Sequence, residues 1–290
     1  MNTLKYHVLL GILLITLSDV SCSQSPVWKV TNGNNTLFLG GTVHVLSESD
    51  YPLPVQFEEA YRQSDSLVFE TDIQKLKSTE YQIALLGEVV YTDGKNLQTS
   101  LKPDTYQALE EYLTSRNIPL SIINHLKPGM AALTLTMIEL QRFGLVGTGV
   151  DEHFSARAIR DNKKTEGLES PDQQLAFIKN FGIGYEDELI LYTLRDAENL
   201  PDIMKNLKNA WRRGDNATLE DLALTPLKGE FPKIHKILIA QRNQAWIEKI
   251  EKMLDTPDVE FVLFGALHLL GEEGILRRLE SKGHEVKMLE

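Results

Sequence analysis

Residues 259–289 read VEFVLFGALHLLGEEGILRRLESKGHEVKML. The opening six residues are almost all apolar, a run with the length of a buried strand. A Gly-x-x-His follows, then a helix starting near Gly271, then a last short strand over 284–289. Strand, helix and strand in that order make a β-α-β unit, so at least part of the sheet must be parallel.

The centre of this stretch occurs twice. Residues 262–270 read VLFGALHLL and residues 38–46 read FLGGTVHVL. Gly41 aligns on Gly265, and His44 on His268. Glycine at a strand end lets the backbone turn or approach a neighbour closely. The histidine three residues on then sits just past the strand. A single histidine in that setting is ordinarily a hydrogen-bonded structural residue. Two in the same nine-residue pattern, one near each end of the chain, point to imidazoles gathered in one place, and neutral imidazole is the commonest metal ligand.

Outward from the two motifs, residues 27–30, Asn32-Gly33-Asn34-Asn35 and 36–40 read as a β-hairpin that delivers the first Gly-x-x-His. Pro52 and Pro54 open a helix running through Arg62. Residues 66–70 (SLVFE) form a short apolar strand ending in Glu70. The stretch from Ile73 to about Phe143 is helical, with Pro103 and Pro128 each starting a helix. Residues 147–160 (GTGVDEHFSARAIR) are a loop entering a helix, and 164–169 a strand. Helices follow over 172–213 and 231–254. The expected fold is α/β: a mixed, partly parallel central sheet with a large helical insertion between its sheet-forming ends.

Glu70 closes a buried strand, and parallel strand ends face one crevice in an open α/β sheet. Its carboxylate is placed either to complete a metal site with His44 and His268 or to act as general base on a metal-bound water. Capping the following segment is the plainer role. Asp151, after Gly149, reads as a cap for its own helix, and Glu272 and Glu273 as first-turn acids that favour the helix dipole. Arg242 suits a clamp on a carboxylate or carbonyl oxygen, or a salt bridge. His125, His153, His235 and His284 lack a comparable context and are read as structural.

The 290 residues are 42% hydrophobic and 24% charged, ordinary for a globular protein. The net charge of -11 disfavours nucleic acid and other polyanions as partners. Lys5 and His7, an apolar run over 8–17, and Ser21-Cys22-Ser23 compose a secretory signal peptide over 1–22, too short in its apolar part to span a bilayer. Cys22 is the only cysteine. It stands where a lipoprotein carries its acylated residue, although Asp19 occupies a position usually held by Leu or Val. Cleavage after Ser23 is the alternative. The mature chain, 23–290, is then one domain without disulfides, exported to the periplasm or lipid-anchored to the bacterial envelope.

Together these segments resemble the TraB/GumN family, which includes the TIKI-type metal-dependent proteases. The resemblance runs from Trp28-Lys29-Val30 and LFLGGTVHVL through PLPVQFEEAYRQSDSLVFETD, GTGVDEHF and GLESPDQQ to Arg242-Asn243-x-x-Trp246 and FGALHLLGEEGILRRLESKGHEV. It implies an α/β core like that of erythromycin esterase-like and ChaN-like proteins. It implies His44 and His268 as metal ligands, Glu70 as the acid essential for activity and a third ligand, and Asp151 and Arg242 as recurrent polar positions, taken with Glu70 as the candidate catalytic residues. The activity it implies is peptide hydrolysis with a divalent ion such as manganese, cobalt or zinc, on a peptide or protein substrate. The alternative is a non-catalytic lipoprotein that binds haem, metal or peptide, as in the ChaN-like and pheromone-shutdown branches.

Overall fold

The hairpin read at the start of the mature chain is present in a computed structural model that describes residues 25–290. The expected signal peptide and Cys22 lie outside the described residues. Strands β1 (Val27–Asn32) and β2 (Asn35–Thr42) pair antiparallel about a two-residue corner, with Asn32 opposite Asn35. Strand β3 (Val45–Leu46) follows at once. The remaining strands are β4 (Ser66–Thr71), β5 (Gly147–Thr148), β6 (Lys164–Glu169), β7 (Glu260–Gly265) and β8 (Glu285–Met288).

Six strands form one sheet in the order β6-β4-β7-β2-β1-β8. β6, β4, β7 and β2 are mutually parallel, while β1 is antiparallel to both β2 and β8. Only β1 therefore runs against the rest, and the fold is the expected mixed α/β sheet. The terminal β-α-β unit is real, but β7 and β8 are not neighbours: the β1–β2 hairpin lies between them.

The chain leaves β4 toward β6 and leaves β7 toward β8, in opposite directions along the sheet. The crevice beyond the carboxyl ends of β4 and β7 is thus a topological switch point, where open α/β sheets bind ligands. β4 and β7 are apolar and buried along most of their length, as central strands must be. The edge strand β6 is mostly exposed.

Most of the helical content lies in two insertions. Between β4 and β6 the helical stretch read over 73–143 is a series of separate helices. Its main pieces are Thr79–Val89, Pro103–Ser115 and Pro128–Arg142, the last two starting at prolines as read. Between β6 and β7 lie Pro171–Asn180, Glu186–Glu198 and Leu200–Arg212, then a helical run ending in Gln241–Met253. Two π-helical turns, Glu220–Leu224 and Lys236–Ala240, interrupt this second insertion. The helix near Gly271 begins only at Ile275, because Ala266–Leu269 is a 3-10 turn and Gly271 has φ 77°. Glu272 and Glu273 therefore precede the helix rather than charging its first turn.

A cluster of aromatic rings joins these layers. Phe57 lies 5.9 Å from Phe154, 6.0 Å from Trp211 and 6.1 Å from Phe261, all almost fully buried. Trp211 also donates its indole N–H to the Gly41 carbonyl at 2.7 Å, fastening the second insertion to the end of β2. Rings of this size each bury a large apolar area.

At the opposite end of the sheet, Glu260 opens β7 with carboxylate oxygen Oε2 buried and unpartnered among the described residues. Burial, reinforced by Asp258, Glu166 and Asp65, raises its carboxyl to about 7. A carboxyl raised on folding contributes its stability below its ordinary value of 4.5 and loses it as pH rises toward 7. Glu260→Gln is expected to melt higher than wild type at pH 8 and to match it near pH 4, as read by thermal unfolding at the two pH values.

Candidate active site

Glu70 leaves the carboxyl end of β4 beside the end of β7. Its Oε1 accepts the Gly265 backbone N–H at 2.8 Å, and its Oε2 accepts from Arg242 Nη2 at 2.7 Å. Arg242 comes from the Gln241–Met253 helix and is gripped a second time by Glu169, through Nε at 2.8 Å and Nη2 at 3.0 Å. Burial by itself would raise the Glu70 carboxyl. Arg242, then His268, His44 and the Gly265 N–H outweigh it and hold the group at about 2. Arg242 is thus a salt-bridged residue with two carboxylate partners.

His268 lies in the 3-10 turn after β7. Asn243, one residue beyond Arg242, donates its amide to the carbonyls of His268 at 3.0 Å and Glu273 at 2.8 Å. That fixes Asn243 Oδ1 as an acceptor, 2.7 Å from His268 Nδ1. The ring therefore donates from Nδ1 and keeps Nε2 as its lone-pair nitrogen. Trp246 packs against it at 4.5 Å between centroids. Burial, with Arg242 and His44 adding to it, depresses the imidazole to about 3, so the ring is neutral at physiological pH.

His44 reaches the same point by a different route. β3 pairs antiparallel with β5, placing Val45 opposite Thr148. The Val150 N–H then bonds the Val43 carbonyl at 3.1 Å. Gly149 makes this approach possible, since a Cβ there would lie 2.1 Å from the His44 carbonyl oxygen. The contact sets Asp151 against His44, with Oδ2 2.8 Å from Nδ1, while Oδ1 accepts the Thr42 hydroxyl at 2.9 Å. Asp151 is therefore no helix cap. Gly149 holds that position, and the Asp151 side chain orients an imidazole instead. The Asp151 carboxylate is the main cause that raises His44 to about 9, against an opposing effect of desolvation. The His44 side chain is nevertheless 61% exposed on its outer side, where water screens the pair.

The two motifs do not superpose as strands. In the sheet Thr42, not Gly41, stands opposite Gly265. After that register one copy turns into an extended ribbon and the other into a 3-10 turn. Even so, His44 Nε2 and His268 Nε2 end 3.9 Å and 4.0 Å from one atom, Glu70 Oε1. Gly265 leaves the space among them open: a Cβ there would stand 3.4 Å from Glu70 Oε1, 3.5 Å from His44 Nε2 and 3.6 Å from the His268 ring.

These residues fit a divalent transition metal in donor type and orientation. Each imidazole has its Nδ1 held by an acceptor, the usual outer-shell arrangement of a ligating histidine. A carboxylate oxygen faces both Nε2 atoms. The separations are wider than the roughly 3.3–3.4 Å between tetrahedral ligands bonded at about 2.0–2.1 Å. Accordingly, among the described residues no group of three His, Cys, Asp or Glu stands at metal-binding spacing.

A cleft of about 350 Å3 opens from this cluster, bounded on the far side by the Leu200–Arg212 helix and the Lys236–Ala240 turn. His125, His153, His235 and His284 do not belong to it. Among the described residues no helix is long and apolar enough to cross a membrane.

The sequence reading passed over Glu169. The signal was there: SLVFET and KTEGLE lie side by side as parallel strands, with Thr71 opposite Glu169, and each brings a glutamate to its carboxyl end. Trp246 adds an indole N–H to Glu169 Oε1 at 3.0 Å. Removing Arg242 would leave two carboxylates facing each other in a buried place. Arg242→Leu is expected to cost about 3–5 kcal/mol at pH 7. Glu70 would then take up a proton at higher pH than in wild type, so the deficit should shrink on acidification. Urea unfolding at pH 7 and pH 4 checks both the size and the sign.

Neither a curated protein nor a solved structure matches the chain. The profile of the TraB/PrgY/gumN family matches residues 26–288, which takes in both Gly-x-x-His motifs, Glu70, Asp151, Glu169 and Arg242. On that match over nearly its whole length, the chain belongs to the TraB/PrgY/gumN family.

Proposed function

We propose that the chain is an exported metal-dependent hydrolase acting on peptide bonds, held at the bacterial envelope when Cys22 is acylated. One observation carries this reading: two imidazole nitrogens from opposite ends of the chain meet at a single carboxylate oxygen, and each ring is oriented by an acceptor on its other nitrogen. His44, His268 and Glu70 would hold the ion, which is manganese, cobalt or zinc. When bound, it would acidify a water and polarise the scissile carbonyl.

The remaining work falls to the chain's own groups. A carboxyl held at about 2 is ionised at neutral pH and is a weak proton acceptor, which supports Glu70 as ligand over Glu70 as general base. Asp151 keeps the His44 ring turned so that Nε2 faces Glu70. Arg242 neutralises one Glu70 oxygen and brings a guanidinium to the cleft, where it would stabilise an oxyanion developing on the substrate. His44 carries a proton in the metal-free protein that binding must displace, so metal uptake weakens as pH falls.

Elemental analysis of the purified protein tests the proposal. Wild type is expected to hold about one transition-metal ion per chain, with His44→Ala/His268→Ala holding none and cutting no peptide. Gly265→Ala, which fills the space between the three groups, should lower metal content while leaving the fold intact.

The wide spacing of the cluster and the engagement of both Glu70 oxygens support a second reading, a non-catalytic binder of haem, metal or peptide. Absence of metal after manganese, cobalt and zinc are supplied, together with a Soret band on haem addition that His44→Ala and His268→Ala abolish, would decide for it.

A further inference from the structure

We infer that the cleft beside the His–Glu cluster receives a large, uncharged apolar side chain of the substrate, carried by a residue next to the bond that is cut. This rests on the hydrolase reading for what happens to the peptide, but not for what the cleft binds.

The cleft of about 350 Å3 is within the size range of small-ligand pockets. One end is the cluster. The rest of its wall includes Met204, Leu207, Leu219, Leu238, Ile239 and Leu267. Met204, Leu207, Leu238 and Leu267 pack against buried core residues but are only partly buried themselves, so each leaves some apolar surface at the concave space.

Charge is accounted for elsewhere. Lys208 reaches the wall, but its Nζ is held by Asp50 at 2.5 Å and lies 3.3 Å from the Ser47 hydroxyl. Arg242 is held by Glu70 and Glu169. His44 is likewise paired with Asp151, so a charged side chain entering the cleft would shed water and meet only charges that already have a partner, which is unfavourable. An apolar one would gain from burial.

The backbone supports the same reading. Leu238 and Ile239 belong to the Lys236–Ala240 π-turn, and Leu219 directly precedes the other π-turn. Such turns are frequent at functional sites. Here one of them lies immediately before the helix that carries Arg242 and Asn243, so part of the apolar wall and the residues that hold Glu70 and His268 belong to one continuous element.

The test uses fluorescein-labelled pentapeptides Ala-Ala-X-Ala-Ala, with X as Leu, Phe, Gly, Lys or Glu, and the full-length protein. Fluorescence anisotropy reads binding, and mass spectrometry reads cleavage. The Leu and Phe peptides are expected to bind about tenfold tighter than the other three. Leu207→Trp, which fills the cleft from one wall, should reduce that preference to about twofold or less at unchanged circular dichroism. Leu238→Trp does the same from the Lys236–Ala240 turn and serves where the first variant fails to fold.

Equal affinity for all five peptides, or a preference that survives both substitutions, overturns the inference. Apolar preference in binding with no cleavage in the presence of metal upholds the cleft and defeats the hydrolase reading. Cleavage indifferent to X upholds the hydrolase and defeats the cleft.

Discussion

Strand β7 is the piece on which the rest of the molecule depends. It pairs in parallel with β2 on one side and β4 on the other, so that Phe261 stands level with both Phe38 and Leu67. Without it the early strands have no continuous sheet. It also supplies the Gly265 N–H that fixes Glu70, and it aims the turn bearing His268. Sheet and site are therefore closed by the same hydrogen-bond ladders. These contacts are among the most distant in the chain, and non-local parallel pairing of this kind folds slowly because loop closure precedes its reward.

The site balances charge within a small buried space. Two carboxylates, Glu70 and Glu169, share one guanidinium, and two histidines are driven in opposite directions by their surroundings. Asp151 raises one ring, whereas burial, with Arg242 and His44 adding to it, lowers the other. Two copies of one sequence motif thus yield unlike imidazoles, because ionisation is set by neighbours from other elements rather than by the motif itself.

Much of this was legible in the chain. Apolar runs of strand length located β2, β4 and β7, since buried parallel strands leave an unmistakable composition. The repeated Gly-x-x-His and the acid ending SLVFE brought out His44, His268 and Glu70. The errors have physical causes. Asp151 looks like a helix cap because position and residue type suit one. Its real partners, Thr42 and His44, arrive through the β3–β5 ribbon, whose two-residue strands are too short to carry a periodicity. Glu169 was missed because its strand is at the sheet edge and largely polar, so its end did not read as the floor of a crevice. The one-residue offset between motif alignment and strand register follows from hydrogen bonding between strands, which similarity of sequence does not encode.

The placement of β7 late in the chain has a temporal consequence. Glu70 leaves the ribosome long before the strand that must sit beside it: 189 positions separate the end of β4 at Thr71 from the start of β7 at Glu260. At ordinary translation speeds that gap lasts about 10–40 s. Throughout it, His44 and Glu70 can be made and even partly folded, but the slot between β2 and β4 stays empty and the cluster has no second histidine. The constellation comes into being only with the last tenth of the polypeptide, so a nascent chain that has not reached β7 lacks the cluster.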